Sequence, residues 1–260
     1  MTFLNSKELN LTKKFLSEGY IIKKSNRSSI IYIENLYQKI LKKIFNSKKT
    51  IDLNLLHKYI NYNDLNNFRL ELIYKLNADK NLRYNYFNLA RNELYTLAGN
   101  ELMMQKNINL SIQLPNDNSS LLPIHSDVWS GDSAHEINLW VPMVNCYRTK
   151  SMYILKPKNY DKFLNHLKKK KIKSSNNIFQ VMKKNLKWIK INARYFLLFN
   201  QTLPHGNVVN TENQTRVSMN CRFKGVYSPY GDKKIGEFFL PITKRAMSSI
   251  GDDYIYPFRS

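Results

Sequence analysis

The sequence has few cysteines and no long hydrophobic run. Cys146 and Cys221 are its two cysteines, so it cannot build the disulfide framework of a small secreted domain, and we expect both thiols to be buried and unreactive. No segment approaches the roughly 18 uninterrupted apolar residues that a membrane-spanning helix needs. Residues 1–8 lack the apolar stretch of a secretory signal. These absences favour a cytoplasmic protein.

Acidic residues are scarce relative to basic ones. The chain has 41 lysines and arginines against 19 aspartates and glutamates, which gives a net charge of +22. Such a surface attracts nucleic acids, acidic lipids or phosphorylated small molecules. The lysines, however, occur with abundant asparagine along the whole chain, as at 61–67, which favours a solvated basic surface. The densest basic cluster is 168–173, followed by Lys183, Lys184, Lys187 and Lys190. If this cluster borders a catalytic cavity, a phosphorylated or nucleotide-linked substrate is favoured.

Glycine and proline are also sparse, and they mark no linker or repeat. The 260 residues therefore fit a single domain. Apolar residues at helical spacing predict a mostly helical segment over 29–100, and a period of two begins near 108. The strand predictions are 108–114, 121–127, 136–144, 151–156, 194–200 and 214–227.

The order of these segments predicts an α+β protein. Its core would be a double-sheet jelly roll at 106–227, supported by the mainly helical residues 1–105 and followed by a tail at 228–260. Residues 157–190 interrupt the strands as a lysine-rich insertion with predicted helices at 160–171 and 178–187. The mouth of such a jelly roll can hold a metal ion.

Three separated residues have the chemistry of a metal site. His125 and Asp127 are two positions apart in the apolar segment 121–128, so in a strand they point to the same side. His205 follows the apolar run 193–200 and has a turn residue on each side. Two imidazoles and one carboxylate on one face of a metal leave its other positions open, and this arrangement is typical of non-haem Fe(II) oxygenases.

An anion-binding pair follows the second histidine. Arg216 and Ser218 alternate with apolar residues in the predicted strand 214–227, so both belong to its polar face, together with Asn220 and Arg222. A guanidinium presents a planar fork of donors that matches a carboxylate, and a serine hydroxyl adds another donor.

The set His125-x-Asp127, His205 and Arg216-x-Ser218 resembles the Fe(II)/2-oxoglutarate-dependent dioxygenases in order and spacing. The resemblance implies that the first three residues hold Fe(II). It also implies that Arg216 and Ser218 bind the distal carboxylate of 2-oxoglutarate, that Asn138 contacts this cosubstrate, and that O2 is the oxidant. Halogenating relatives replace the carboxylate ligand with a small residue, so Asp127 favours oxygen transfer.

Further segments narrow the resemblance. Residues 15–20, Phe-Leu-Ser-Glu-Gly-Tyr, resemble the opening of the phytanoyl-hydroxylase-like branch. Residues 125–131, 136–142 and 151–155 resemble oxygenases found among bacterial carbohydrate-biosynthesis genes. This implies a carbohydrate or nucleotide-sugar substrate in glycan or natural-product biosynthesis. Hydroxylation is the default outcome, with epimerisation, desaturation and ring formation as alternatives.

Other residues near the metal site have weaker signals. Trp129 and Ser130 follow the first two ligands in a predicted loop, where substrate contacts concentrate. His135 lacks an acidic partner two positions away, so it is the second choice as a ligand and a candidate for substrate contact. His57 and His166 lie in lysine- and asparagine-rich helical stretches, which predicts solvated surface positions.

Two other functions remain open at this point. The basic surface could direct the same oxygenase site to a nucleic acid, which predicts binding that weakens steeply with salt. Alternatively, the chain could be a non-catalytic basic binding protein with a vestigial metal site, which predicts no succinate formation when Fe(II), 2-oxoglutarate and O2 are supplied.

Overall fold

The computed structural model describes residues 3–170 and 174–258. The described helices are α1 (Ser6–Glu18), α2 (Arg27–Ile44), α3 (Leu65–Asn77), α4 (Leu82–Asn88), α5 (Arg91–Ala98), α6 (Tyr160–Lys170), α7 (Ser175–Met182) and α8 (Ala246–Asp253). The described strands are β1 (Tyr20–Lys24), β2 (Leu102–Gln105), β3 (Asn109–Gln113), β4 (Glu136–Pro142), β5 (Tyr153–Leu155), β6 (Leu186–Trp188), β7 (Tyr195–Asn200), β8 (His205–Gly206), β9 (Arg216–Gly225) and β10 (Phe239–Pro241). None of the described helices is long and apolar enough to cross a membrane.

The first part of the chain is helical, as the apolar spacing predicted. In α2, Ile33, Tyr37 and Leu41 recur at helical intervals and are fully buried. The side chain of Asn26 caps this helix by accepting a hydrogen bond from the Ser29 amide. The hydroxyl of Tyr86 in α4 donates to the Leu139 carbonyl, so the helical layer is fastened to strand β4 as well as packed on it.

The strands form two antiparallel sheets. The larger has the order β1-β7-β4-β9-β2-β10, with β3 also paired to β9, and the smaller has the order β6-β5-β8. Mixed helices and antiparallel sheets confirm the predicted class. Strand β9 pairs with β4 along one edge and with β3 and β2 along the other, so it is the centre of the larger sheet.

The two faces of β9 have different environments, as its alternating sequence predicted. Val217, Met219, Cys221 and Phe223 are buried in the core that the larger sheet shares with the N-terminal helices. Arg216, Ser218, Asn220 and Arg222 occupy the other face. That polar face is the floor of the candidate site.

Two predictions of secondary structure are wrong. Residues 121–127 form no strand: His125 makes a single bridge with His205, and a short 3-10 helix begins at Asp127. Pro123 has no N–H to extend the pairing. The helix predicted over 178–187 ends at Met182, because Leu186 pairs with Leu155 of β5 instead.

The remaining differences are short strands. Strands β1, β2, β6, β8 and β10 were not predicted, and the predicted tail 228–260 contains both β10 and α8. Strand β10 adds to the edge of the larger sheet by pairing with β2. Short strands of two to five residues give too few alternations to be seen in a sequence.

The lysine-rich insertion packs beside the segment that holds His125. Ile178 and Met182 share a small apolar cluster with Ile124 and Tyr153. The rings of Phe163 in α6 and Trp129 stack with their centroids 6.0 Å apart. Helices α6 and α7 therefore cover this side of the smaller sheet. The side chains of residues 169–173, most of the basic cluster, lie outside the described part of the chain.

Candidate active site

Three elements bring the predicted metal ligands together. His125 lies in the segment before the 3-10 helix, Asp127 is the first residue of that helix, and His205 begins β8. The backbone amides and carbonyls of His125 and His205 exchange hydrogen bonds of 2.9 and 2.8 Å. The Asp127 amide donates to the Gln201 carbonyl at 3.2 Å. Ser126 is extended, so the side chains two positions apart converge although no strand forms.

The three side chains meet at one carboxylate oxygen. Asp127 Oδ1 lies 3.3 Å from His125 Nε2 and 3.6 Å from His205 Nε2, and the three ligand atoms are all within 4.8 Å of one another. The Nδ1 atoms of the imidazoles lie 2.7 Å from the Pro123 carbonyl and 2.8 Å from the Leu203 carbonyl. A carbonyl only accepts, so Nδ1 donates in both rings and Nε2 is left free to bind a metal.

The second carboxylate oxygen of Asp127, Oδ2, is paired with Arg222. Arg222 Nη2 lies 3.1 Å from Asp127 Oδ2, and Arg222 Nε lies 3.3 Å from the same oxygen. Arg222 Nε also donates to Gln201 Oε1 at 3.1 Å, and Gln201 donates to the buried Glu136 at 2.8 Å. The Arg222 guanidinium is therefore held by both Asp127 and Gln201. It leaves Oδ1 as the oxygen that faces the imidazoles.

The surroundings shift the pKa of each candidate ligand. Burial raises the pKa of Asp127, but its contact with the His125 imidazole and the charge of Arg222 outweigh it and hold this pKa well below its usual range. Burial lowers the pKa of His205 to about 4. Burial also lowers the pKa of His125, but its bonds to Asp127 and Pro123 give a net increase. An ionised carboxylate and a neutral His205 are the forms that bind a divalent metal.

Arg216 is buried in the same region, and no counter-ion for it is found among the described residues. Its Nη2 donates to Ser111 Oγ at 2.9 Å and its Nη1 to the Ser151 carbonyl at 3.4 Å, while its Nε has no hydrogen-bond partner within residues 3–170 and 174–258. Burial lowers the pKa of Arg216. No carboxylate of the described residues forms an ion pair with it. A buried guanidinium in this state is a natural site for an anionic ligand.

All these groups open onto one cavity of about 620 Å³. Its lining includes the three candidate ligands and Asn138, Arg216 and Arg222. The amide oxygen of Asn138 is buried and has no hydrogen-bond partner. The same is true of Ser218 Oγ, although Ser218 is not among the described residues that line the cavity. Unpaired buried polar atoms are rare in folded proteins, and the Asn138 oxygen and Arg216 Nε belong to residues that line this cavity, where a polar ligand would complete their bonding.

Three predicted substrate contacts lie elsewhere. Trp129 and Ser130 are exposed on the 3-10 helix after Asp127, and His135 is exposed before β4. The described lining of the cavity includes none of the three. Turns redirect the chain after Asp127, so nearness in sequence to the ligands did not bring these side chains into the cavity.

The two remaining histidines are partly covered. His57 Nδ1 lies 2.9 Å from Thr215 Oγ1, so His57 is a half-buried contact between a 3-10 helix and the loop before β9 rather than a solvated residue. His166 Nδ1 lies 2.9 Å from the Lys162 carbonyl within α6. Neither histidine belongs to the cluster of metal-binding side chains found among the described residues.

Several residues in or beside the cavity had no predicted role. Ser111 accepts a hydrogen bond from Arg216, Gln201 and Arg222 hold Asp127, and Arg69 reaches the cavity from α3. The alternation of β9 had already grouped Arg222 with Arg216, so the sequence contained that signal. Ser111 and Arg69 lie on other elements, and only the tertiary structure reveals their positions.

The fold is similar to that of solved oxygenases. A nickel complex of the non-heme monooxygenase ThoJ superposes with a TM-score of 0.56 at 13% identity, covering 92% of this chain and 85% of that one. The non-heme alpha-ketoglutarate-dependent carbocyclase SnoK from nogalamycin biosynthesis gives 0.54 at 13% identity, covering 93% and 97%. HygX from Streptomyces hygroscopicus, with nickel and 2-oxoglutarate bound, gives 0.51 at 10% identity, covering 89% and 90%.

The sequence comparisons add no relative. No family model matches the chain, and no curated protein matches it. At these low identities the similarity to ThoJ, SnoK and HygX concerns the fold. The residues present nevertheless fit a resident metal ion, because two imidazole nitrogens with a free lone pair and one ionised carboxylate oxygen converge at one side of an open cavity.

Proposed function

We propose that this protein is an Fe(II)- and 2-oxoglutarate-dependent oxygenase that oxidises a small molecule. The observation that supports it best is the convergence of His125, Asp127 and His205 within 4.8 Å at a cavity that also contains the uncompensated Arg216. A metal triad alone would fit many hydrolytic and structural sites. A buried guanidinium beside the triad supplies a second site, suited to the far end of a keto diacid.

His125, Asp127 and His205 would bind Fe(II) through two Nε2 atoms and Asp127 Oδ1. Arg222 would keep Asp127 from turning, since it already holds Oδ2. The carbonyls of Pro123 and Leu203 would keep both imidazoles in the tautomer that presents Nε2.

Arg216 would bind the distal carboxylate of 2-oxoglutarate. Ser111 and Ser218 are opposite each other in the pairing of β3 with β9, two positions from Arg216, so Ser218 would add a hydroxyl donor. Asn138 lines the same cavity, and its amide nitrogen would donate to the cosubstrate, whose oxygens only accept. Filling this end of the cavity would satisfy the Arg216 Nε–H, for which the described part of the chain offers no acceptor.

When bound, iron and 2-oxoglutarate supply the O2-dependent oxidation of an unreactive C–H bond, with succinate and CO2 as coproducts. The chain contributes position and exclusion of water. His205 and Asp127 are buried, and apolar walls such as Phe199 and Met152 line the cavity beside them. The two sheets, with β9 and β4 bordering the cavity, would form a double-stranded β-helix within one domain.

The proposed substrate is a carbohydrate or nucleotide-sugar intermediate. A cavity of about 620 Å³ suits a small molecule, and asparagine and serine side chains in its wall suit hydroxyl groups. SnoK is a carbocyclase and the similar SnoN an epimerase, each from nogalamycin biosynthesis. Hydroxylation is the default reaction that we propose, with cyclisation and epimerisation as outcomes that the same site could support.

The test is cosubstrate turnover by purified protein. We expect the wild type to release succinate from 2-oxoglutarate only when Fe(II) and O2 are both present. An anaerobic titration of Fe(II) and 2-oxoglutarate should also give the weak visible charge-transfer band of the chelate. Succinate is quantified by chromatography and the band by absorbance, so the two readouts are independent.

His205→Ala and His135→Ala form a matched pair of variants. His205→Ala should lose both the band and succinate release, because it removes a ligand. His135→Ala should retain both, because His135 is exposed and outside the cavity. A wild type that forms neither the band nor succinate would disprove the proposal and favour a vestigial site.

A further inference from the structure

The cavity contains more positive charge than the proposed iron and cosubstrate sites use. Its described charged lining comprises Arg69, Arg216 and Arg222, the two histidines, and Asp127 as the one carboxylate. Arg222 is paired with Asp127, and Arg216 is assigned to the cosubstrate. Arg69 is left over.

Arg69 differs from the other two arginines in its surroundings. It lies on α3 and is only partly buried, and its Nη2 donates a 2.7 Å hydrogen bond to the neutral amide oxygen of Asn66 on the same helix. None of the described carboxylates forms an ion pair with it. Its guanidinium therefore keeps free donors at the cavity wall.

The lining of the cavity combines apolar side chains with uncharged polar ones. Asn66, Asn109, Ser119 and Ser120 are among the polar ones, and the described lining has no acidic residue that would repel an anion apart from Asp127. Lys75, on the same helix, is paired with Glu71 and is not part of the described lining. The free cationic group of α3 that reaches the cavity is therefore Arg69.

We infer that Arg69 recognises an anionic group, a carboxylate or a phosphate, on the molecule that this enzyme oxidises. The inference rests on the proposed function, because it assigns Arg216 to 2-oxoglutarate and Arg69 to the substrate. A guanidinium fork binds either anion through two parallel hydrogen bonds, and the adjacent amides and hydroxyls suit a hydroxylated body. The substrate class is thus a small polar molecule that carries a carboxylate or a phosphate group, such as an acidic, phosphorylated or nucleotide-linked sugar.

The closing experiment uses inorganic phosphate and acetate as minimal probes of the full-length, metal-free protein. Side-chain Nε–Hε signals of 15N-labelled arginines report each site separately, and Arg69→Lys identifies the Arg69 signal by its loss. We expect phosphate or acetate to shift the Arg69 signal saturably, while the exposed Arg91 shifts only as it does with chloride at equal ionic strength. The anion with the lower saturating concentration distinguishes phosphate from carboxylate.

A charge-matched pair of variants measures the affinity by calorimetry. Arg69→Gln should weaken binding of the better probe at least about tenfold, as expected for loss of charge-assisted hydrogen bonds. Lys75→Gln removes the same charge from the same helix and should bind as the wild type. Equal weakening in both variants, or an Arg69 signal that never saturates, would overturn the inference, because either result would indicate only the general basic surface.

Titration with 2-oxoglutarate separates this inference from the proposed function. If Arg69→Gln weakens 2-oxoglutarate binding as much as Arg216→Ala does, Arg69 belongs to the cosubstrate site and the inference fails. If the wild type forms no iron chelate and no succinate but keeps Arg69-dependent anion binding, the proposed oxygenase fails while Arg69 remains an anion site.

Discussion

Arg222 holds one oxygen of Asp127 at 3.1 Å, while the other oxygen of that carboxylate faces two imidazoles. One oxygen of the carboxylate therefore contacts a protein group, and the other is placed where a metal ion would bind. Gln201 and Asp132 contact Arg222 in turn, so the guanidinium has little freedom. These contacts therefore orient the Asp127 carboxylate independently of metal binding.

Replacing Arg222 with methionine should weaken metal binding. Asp127 would lose the partner that orients it, and loss of such outer partners typically costs about 10–100-fold in metal affinity. Anaerobic calorimetry with Co(II) measures the effect. Arg222→Lys keeps a cation near Oδ2 and should lose less. Wild-type affinity in the methionine variant would show that the contact does not position the ligand.

Replacing Arg216 with alanine should weaken 2-oxoglutarate binding and leave metal binding largely intact. Arg216 contacts Ser111 and Ser151 rather than any candidate ligand, so its loss removes only the anion site. We expect at least about a tenfold increase in the Kd for 2-oxoglutarate, measured by titrating the chelate band. Arg216→Lys, which keeps the charge but not the fork, is the control. Equal loss of metal and cosubstrate binding would argue against separate sites.

Much of this site could be predicted from the sequence, because several of its residues lie close to one another along the chain. His125 and Asp127 are two residues apart, and Arg216 and Arg222 share one strand face, so short-range geometry alone groups them. The contributions of Ser111 and Arg69 were not predictable, because β3 and α3 meet the cavity only through tertiary packing. The segment 121–127 was misread as a strand, since apolar composition cannot reveal that pairing stops after a single bridge.

Gly206 allows the segments that contain His125 and His205 to approach each other closely. We expect Gly206→Ala to disturb this approach. A Cβ at Gly206 would lie 2.7 Å from the Leu122 carbonyl oxygen and 3.0 Å from the Pro123 carbonyl carbon, both backbone atoms. Overpacking of this kind costs about 1–3 kcal/mol of unfolding free energy, measured by urea denaturation. Because the strain falls beside His125 and His205, Co(II) affinity should also decrease.

Gly251→Ala is the matched control for Gly206→Ala. Gly251 lies in α8 and its added Cβ would meet no atom within 4 Å, so this variant should be as stable as the wild type or slightly more stable. Unchanged stability and Co(II) affinity in Gly206→Ala would mean that the backbone at Leu122 and Pro123 can move aside without cost.

Both cysteines should resist thiol reagents in the folded protein. Burial raises the pKa values of Cys146 and Cys221 to about 12, and the thiolate is the reactive form. Raising the pH from 7 to 9 should therefore not expose reactive thiolate until the protein unfolds. A colorimetric thiol assay should detect neither thiol natively and both in guanidinium chloride. Rapid native labelling would contradict their burial.

The stacked rings of Trp129 and Phe163 should restrain helix α6. Trp129→Ala removes this contact, so trypsin should cut more readily at the lysines of α6, while the melting temperature of the core changes little. Gel electrophoresis and mass spectrometry would locate the cuts. Trp129→Phe keeps an aromatic ring and should be cut like the wild type. Identical digestion of all three proteins would show that other contacts hold the helix.

The paired backbone hydrogen bonds of His125 and His205 should keep the metal-binding segments together after the metal is removed. They join the two ligand-bearing segments through peptide groups alone, and the core of the larger sheet is complete without any ion. Zinc fingers, by contrast, unfold when a chelator removes their metal. Here, dialysis against a chelator should leave a folded polypeptide, into which one divalent ion after another can be introduced and compared on an unchanged scaffold.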